Sequence, residues 1–574
     1  MNSHERIEAA LRREEVDRIP LFEYGIDPAI AFEINKFPKY LIKFSGLVAN
    51  LPPYLKNLFN SIIQKQGQEY VVKAAEKVGL DAIGFVTVPK FWWITKDEIR
   101  SEVGEILKYD FDKTFASGKF GGCTNYDIFG AIKTPEEFLN LRLKPEHEEG
   151  INTVEEISKK HPNIVIVPIL LSFQPLLHVL GYDQIIDLMT NKPKTAEKMM
   201  EKVGDFNIQL SKLLIERGFN MFFWPEDLGS TRGLIYPLKG IRKIILPSVK
   251  KVVKFCHKKG SYVILHSCGD ANEAIDGIIK AGLDALHPLE PPGMNFLYIK
   301  QQYGDKISLV GNIDVRKTLV SGTKDDVIEE VKERILMGNL EGHILSSSQA
   351  IGPSIKTQNF VTMVKAAKKY GNHEWLGAHK KSFPKIKKTK RKIKLEGLSW
   401  SKAIKLRKKG LINPVEIYLL SKKVKTKYIK GKIIIGTIGS MHTIGRAFIN
   451  SCLKASGFEV LDIGGFITAE LCIEKMKETG ARMIAVSCVQ TPSSTNELGD
   501  FIKKTKRALP ETKIVVGGGA LNRIFYDLEK SFGKEKAKKK ILEMFGADDF
   551  DVDEIDVVGM CNKFFSESSS LRVY

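Results

Sequence analysis

No apolar run in this 574-residue chain approaches the ~18 residues of a membrane-spanning helix, and no basic stretch followed by an apolar one opens it at Met1. The chain is therefore expected to have no membrane span and to stay unexported in the cytoplasm. Cysteine is scarce. Seven of them, an odd number thinly spread, cannot make a disulfide framework, so each is expected as a reduced thiol in a core or as a metal ligand. Acidic charge is missing from one stretch: residues 380 to 432 hold 20 Lys and Arg against only Glu396 and Glu416. This accounts for +18 of the net +20 and leaves the rest of the chain near neutral. No aromatic stripe interleaves the basic residues, as a single-strand binder would need. The stretch reads as a solvated tether rather than a nucleic-acid footprint, with an anionic surface or acidic partner as the alternative.

What is present is alternation of β-branched apolar runs with helical stretches, the mark of a parallel β/α fold. Eight runs precede Trp375: Arg18 to Glu23, Ala82 to Val88, Ile164 to Leu170, Asn220 to Glu226, Tyr262 to Cys268, Ala285 to Glu290, Ile307 to Asn312 and His343 to Ser348. Eight parallel strands point to a (β/α)8 TIM barrel, with a large open sheet as the competitor. In a barrel the strand carboxyl ends converge on one mouth, so Glu226, Asp227, His266, Cys268, Glu290, Asp314, Ser348 and Gln349 are expected there. Glu226, Asp227 and Asp314 are the candidates for substrate binding or proton delivery. The segment Leu41 to Gln64, broken by Pro52 and Pro53, reads as an inserted helical hairpin.

Hydrophobic period is lost between His379 and Lys394. Two short helices are expected next, the second at Asn413, Pro414 and Glu416, where an N-cap, a proline at the first helical position and a capping-box glutamate coincide. Five further strands begin at Lys432, Phe458, Met483, Lys513 and Asp549, suggesting a flavodoxin-like doubly wound sheet. The expected domains are a barrel over 1–376, a basic linker with short helices over 377–430 and an α/β domain over 431–574.

In that last domain the first strand runs into Gly439, Ser440, Met441, His442, Thr443, Ile444 and Gly445, the third ends in Ser487, Cys488 and Val489, and the fourth in Gly517, Gly518 and Gly519. These loops lie where open α/β sheets bind ligands, and their small residues leave a groove for a long tail. SMHTIG, SCV and GGG, with FEVLDIGG at Phe458 and GADDF at Gly546, resemble the cobalamin-binding (corrinoid) domains of methyltransferases and mutases, whose pattern is DxHxxG, SxL and GG. The resemblance implies a cobalamin cofactor with His442 as the lower axial metal ligand to cobalt, Ser487 at the displaced nucleotide base, and Gly517, Gly518 and Gly519 lining the tail pocket. The family's aspartate is Ser440 here, so the imidazole lacks its usual carboxylate support.

On the fifth strand His266 and Cys268 are two apart and face the same side. Imidazole and thiolate suit zinc, but two ligands do not make a site. HERIEAALRREEVDRIPLFEYG at His4, EDLGSTRGLIYP at Glu226, HSCGD at His266, HPLEPPGM at His287 and LVGNIDVR at Leu309 resemble the uroporphyrinogen decarboxylase superfamily. The HxC pair is similar to that of its methyltransferase branch, in which the pair and a later cysteine bind zinc. Here the later cysteine is absent from ILSSSQAIGP at Ile344, with Gln349 or a nearby serine in its place. Zinc would then take help from Glu226 or Glu290, bind only with substrate, or be absent.

Together the resemblances imply a corrinoid-dependent methyltransferase, similar in domain order to fused chloromethane-type enzymes. It would take a small methylated substrate and a methyl-acceptor or corrinoid-reactivating protein as partner. A non-catalytic corrinoid carrier or cobalamin sensor, and a decarboxylase-like barrel with a degenerate corrinoid domain, are the alternatives.

Overall fold

In a computed structural model the chain divides into two compact units, residues 1–123 with 129–389, and residues 124–128 with 390–574. The structure describes residues 1–36, 52–87, 91–93, 98–101, 105–109, 126–130, 132–143, 145, 148–231, 233–379, 382–386, 395, 398–409, 411–424, 429–438, 443–465, 467–488, 493–518, 521, 524–525, 528–529, 532–550 and 554–570.

The first unit is built on eight parallel strands: β1 (Phe22–Glu23), β2 (Ala82–Val86), β3 (Val165–Ile169), β4 (Met221–Pro225), β5 (Tyr262–His266), β6 (Ala285–His287), β7 (Ser308–Val310) and β8 (His343–Ile344). Each pairs with the next, and a parallel bridge between Leu21 and Leu345 closes the ring. All eight fall within the apolar runs read from the sequence, so the fold is the TIM barrel. The strands are short because continuous burial on both faces needs only a few Val, Ile, Leu and Phe residues each. Helices before and between them carry their own start signals. Asn2 and Glu5 form a capping box before Ser3–Leu11, and Thr323 and Asp326 form another before Lys324–Gly338. Of the proposed hairpin, residues 41–51 lie outside the described residues, and Pro53 onward is one helix continuing to Val78.

At the start of β8, His343 is fully buried and donates from Nε2 to the Gly311 carbonyl oxygen at 2.9 Å. Burial pushes its imidazole down to about 3 against the pull of that carbonyl. The unfolded chain takes up this proton near its ordinary value while the fold does not, so stability is full above pH ~6.5 and lost as pH falls toward 3. In denaturant titrations at several pH values, His343→Gln is expected to flatten the stability slope of the barrel's transition between these limits by about 1.4 kcal/mol per pH unit.

The second unit has five parallel strands: β9 (Lys432–Ile438), β10 (Glu459–Gly465), β11 (Met483–Cys488), β12 (Lys513–Gly517) and β13 (Asp549–Phe550). Their order is β10-β9-β11-β12-β13, which is the flavodoxin-like arrangement. Period-two alternation splits the apolar residues between two cores. Ile434, Ile438, Ile484, Val486, Ile514 and Val516 face one, while Ile433, Ile435, Met483, Ala485 and Val515 face the other. Helices Trp400–Lys408 and Pro414–Ser421 join the second core through Ala403 and Ile417, with Ile412 of the turn between them. Lys402, Lys405, Lys408 and Lys409 stay exposed, so part of the basic stretch is the solvent face of a packed helix. Asn413 accepts from the Glu416 amide at 2.9 Å and its own amide donates to Glu416 at 2.8 Å, the capping box anticipated from the sequence. Among the described residues no helix is long and apolar enough to cross a membrane.

Candidate functional site

Parallel register sets the barrel site. His266 ends β5 opposite Pro225 of β4 and His287 of β6, so the two histidines project side by side into the interior. Their Nδ1 atoms lie 2.7 Å apart. Tyr24 stacks on Phe223 at 5.4 Å and leans on His266 at 5.0 Å between ring centres, giving the imidazole an aromatic wall. Cys268 follows two residues later on the same side. Gly269 then turns the chain with φ +68°, where a Cβ would lie 2.5 Å from the Ser230 backbone.

Three donors of different chemistry meet here. His266 Nε2 is 3.1 Å from Cys268 Sγ and 3.4 Å from Asp227 Oδ1, and the Cys268 amide donates to the same Asp227 oxygen at 2.9 Å. Asp227, His266 and Cys268 form a group whose ligand atoms all lie within 4.8 Å of one another. Gln174, at the start of the helix after β3, donates to Asp227 Oδ2 at 2.7 Å. Burial alone would raise the Asp227 carboxyl, but hydrogen bonding and charge from His266, with the Cys268 amide and Gln174, hold it well below the carboxylate range. The Cys268 thiol is driven well above its ordinary value by burial and then by the charges of Asp227 and Glu290. One nitrogen, one sulfur and one oxygen in reach of each other fit a zinc ion with a further position for substrate.

Gln349, on the chain that leaves β8, reaches the same group. Its amide nitrogen donates to Cys268 Sγ at 3.0 Å and to Glu290 Oε2 at 3.1 Å. Glu290 also accepts from the Gly269 amide at 2.7 Å and pairs with Arg316, so it borders the group without joining it. Glu226 points elsewhere. Its Oε2 accepts from the Phe173 amide at 2.8 Å, Oε1 has no hydrogen-bond partner, and burial pushes the carboxyl up to about 8. The carboxylate beside His266 and Cys268 is thus Asp227, where the sequence had suggested Glu226 or Glu290. Asp314 caps the helix Val315–Val320, accepting from the amides of Arg316 and Lys317 at 2.9 and 3.0 Å. Its carboxylate is engaged there and does not meet Asp227.

Two residues escaped the sequence reading. His287 lies in HPLE, and only the register between strands shows it beside His266. Glu23, fully buried and pushed up to about 8 by burial, ends the first apolar run. The strand-end rule applied to that run would have found it.

Of the residues read as cofactor-binding in the second unit, Gly445, Ser487, Gly517 and Gly518 are described. Ser487, the last residue but one of β11, is half-buried, in register with Thr437 of β9 and Gly517 of β12. Gly518 follows with φ +103°, and a Cβ there would lie 2.5 Å from the Cys488 carbonyl oxygen and 2.8 Å from Ser487 Oγ. Arg446 pairs with Asp462 at 2.7 Å and donates to Thr437 Oγ1 at 3.4 Å, anchoring the helix Thr443–Ala455 to β10 and β9. Gly445 opens that helix with free space where a Cβ would stand. Ser440, His442 and Gly519 lie outside the described residues. Among the described residues, Gly517 and Gly518 put no side chain of their own at the carboxyl end of β12, which fits the tail of a cobalamin.

Residues 153–370 match the family model of uroporphyrinogen decarboxylase (URO-D), and residues 431–524 match that of the B12 binding domain. The chain is 23% identical over 220 residues to a methylated-thiol–coenzyme M methyltransferase of Methanosarcina mazei, covering 38% of this chain and 57% of the relative. It is 35% identical over 101 residues to a corrinoid protein of Desulfitobacterium hafniense, covering 17% of this chain and 46% of that one. The chain thus spans about half the length of the curated relatives it matches. Among solved structures it is similar to a methyltransferase from Methanosarcina mazei, with a TM-score of 0.46 and 17% identity over 64% of this chain and 99% of that one. The chain joins a uroporphyrinogen decarboxylase (URO-D) domain to a B12 binding domain.

Proposed function

We propose that this protein is a corrinoid-dependent methyltransferase that moves a methyl group between a small methylated substrate in the barrel and cobalt held by the C-terminal domain. The observation that carries this reading is the fusion itself: a barrel with an N, S, O donor group at its mouth, on the same chain as a B12 binding domain. The relatives' names agree with it, since the barrel side matches a methyltransferase and the other side corrinoid proteins. A separate methyl acceptor and a corrinoid-reactivating protein are the partners such an enzyme needs.

Cobalamin, when bound, supplies a cobalt centre that accepts and gives up methyl groups. His442, Ser487, Gly517, Gly518 and Gly519 would hold it, with Ser440 and Gly445 along the same loop. Asp227, His266 and Cys268 would hold zinc, a Lewis acid that polarises the atom carrying the methyl group. The protein's own residues then do the following. Gln174 orients Asp227, Gln349 donates to the Cys268 sulfur and takes negative charge off it, and Tyr24 and Phe223 keep water from the His266 ring. A carboxylate and an amide standing where a second thiolate would be make the site harder, which favours an oxygen- or nitrogen-linked methyl substrate over a thioether.

The test is the full chain loaded with cobalamin and zinc, given a panel of O-, N- and S-methyl compounds and followed by its visible spectrum. Turnover of an O- or N-methyl compound is expected, and Cys268→Ser should lower it by about 100-fold or more while the cobalamin spectrum is unchanged. A wild-type chain that keeps cobalamin but demethylates nothing on the panel would instead be a carrier.

A further inference from the structure

The chain that leaves β8 lies beside β1 twice, at Leu345 against Leu21 and at Ile351 against Ile26. From the first bridge to the second it takes six residues where β1 takes five, so one is in surplus, as in a β-bulge. Kinks of this kind re-aim side chains beside active sites. Gln349 lies in the kink, and its amide nitrogen reaches Cys268 Sγ and Glu290. Opposite stands Glu23, a fully buried side chain for which the proposed chemistry has no use. Glu23 Oε1 accepts from the Ser347 amide at 2.9 Å, and Glu23 Oε2 meets the Ser347 hydroxyl. The same hydroxyl meets the Gln349 carbonyl oxygen.

Ser347 has one hydroxyl hydrogen and two oxygens to serve with it. A carbonyl only accepts, and so does an ionised carboxylate. With Glu23 ionised, one pair of buried oxygens would therefore face each other with no hydrogen atom between them, at the cost of an unmade hydrogen bond. A proton on Glu23 Oε2 removes the conflict. The carboxyl then donates to Ser347 Oγ, the Ser347 hydroxyl donates to the Gln349 carbonyl, and Oε1 still accepts from the Ser347 amide. Burial, which pushes this carboxyl up to about 8, works in the same direction.

We propose that Glu23 is a positioning residue of the barrel site, which in its neutral form orders Ser347 and the kink after β8 and so seats the Gln349 amide on the Cys268 sulfur. It acts through Ser347 and Gln349. For its consequence at a bound metal the inference rests on the zinc reading above, but the seating needs no metal and is tested without one.

Glu23→Gln offers Ser347 an amide donor and an oxygen acceptor, as the neutral acid does, whereas Glu23→Ala offers neither. On full-length, metal-free protein near neutral pH, the infrared spectrum of wild type minus that of Glu23→Gln is expected to show the carbonyl band of a protonated carboxyl. Alkylation of Cys268 by iodoacetamide, followed by peptide mass spectrometry, reports the seat of Gln349. Gln349→Ala takes one donor from the sulfur and disfavours the thiolate, so labelling should slow about 5-fold. Glu23→Ala, or Ser347→Ala should the first fail to fold, is expected to slow it by the same factor, and the Glu23→Ala, Gln349→Ala double variant no further. Glu23→Gln should stay within about 2-fold of wild type. Crystal structures should show the Gln349 amide off the sulfur in Glu23→Ala and on it in Glu23→Gln. A carboxylate band in the infrared difference overturns the inference, as do additive effects in the double variant or a Gln349 still seated in Glu23→Ala. Where these results are as expected but Co(II) gives wild type no thiolate-to-cobalt absorption, the zinc reading falls and the positioning role stands.

Discussion

Asp81→Ala is expected to lower the stability of the barrel by about 3–5 kcal/mol. Asp81 sits just before β2 with its side chain 1% exposed and gathers five donors. Arg6 Nη1 donates at 2.7 Å, Arg18 Nη1 and Nη2 at 2.8 Å each, the Leu21 amide at 2.9 Å and Ser3 Oγ at 3.2 Å. Removing the carboxylate leaves two guanidinium groups with little access to water, and the backbone amide that opens β1 without its acceptor. Asp17 still holds Arg6, which caps the loss below that of a wholly stranded charge. Urea titration of the barrel's transition checks the prediction. The pair Lys332 and Glu329, with Glu329 on the surface of the same unit, is the control, where Glu329→Ala should leave the barrel's transition nearly where it was.

In the B12 binding domain the corresponding position is Gly518. Gly518→Ala is expected to destabilise that domain by about 2–4 kcal/mol and to abolish retention of cobalamin. A side chain there would need both a left-handed backbone and room that the Cys488 carbonyl, only 2.5 Å from the Cβ position, already occupies. The neighbour is backbone of the adjacent strand, so relief requires β11 and β12 to part at the edge where the cofactor tail would enter. Gly445→Ala is the contrast. Its Cβ meets nothing, so the domain should stay folded and any loss of cobalamin would report contact with the cofactor. Far-UV circular dichroism and the visible spectrum of protein loaded and then desalted distinguish these outcomes.

Much of this architecture was legible in the sequence. Eight apolar runs became eight strands because buried parallel strands need continuous β-branched stretches, and the capping box at Asn413 was local chemistry that packing did not override. The barrel site was legible only in part. His266 and Cys268 follow from strand period, but Glu226 and Asp227 lie beyond the last paired residue of β4, where alternation no longer says which way a side chain turns. Asp227 reached the histidine, and Glu226 was spent on the Phe173 amide. Asp314 looked like a mouth carboxylate because an N-cap aspartate and a functional one occupy the same kind of strand-to-helix turn. His287 needed the register between β5 and β6, which no local pattern encodes, whereas Glu23 stood at a strand end that the strand-end rule would have reached.

The seam of the barrel also dictates the order in which the chain assembles. Glu23 and Ser347, which meet across it, are 324 residues apart in sequence, and the length-dependent part of closing so large a loop costs about 5 kcal/mol. The two strands that meet there are two residues each, too short to offset that cost by backbone pairing alone. Closure therefore has to wait until the intervening sheet has brought the two ends together, with Leu21 and Phe22 as the apolar payload that completes the ring. The first strand can pair with β2 some 60 residues later, so it is the seam with β8 that waits for the rest of the sheet. Glu23 thus meets the Ser347 amide and hydroxyl only when the ring closes, at the final step.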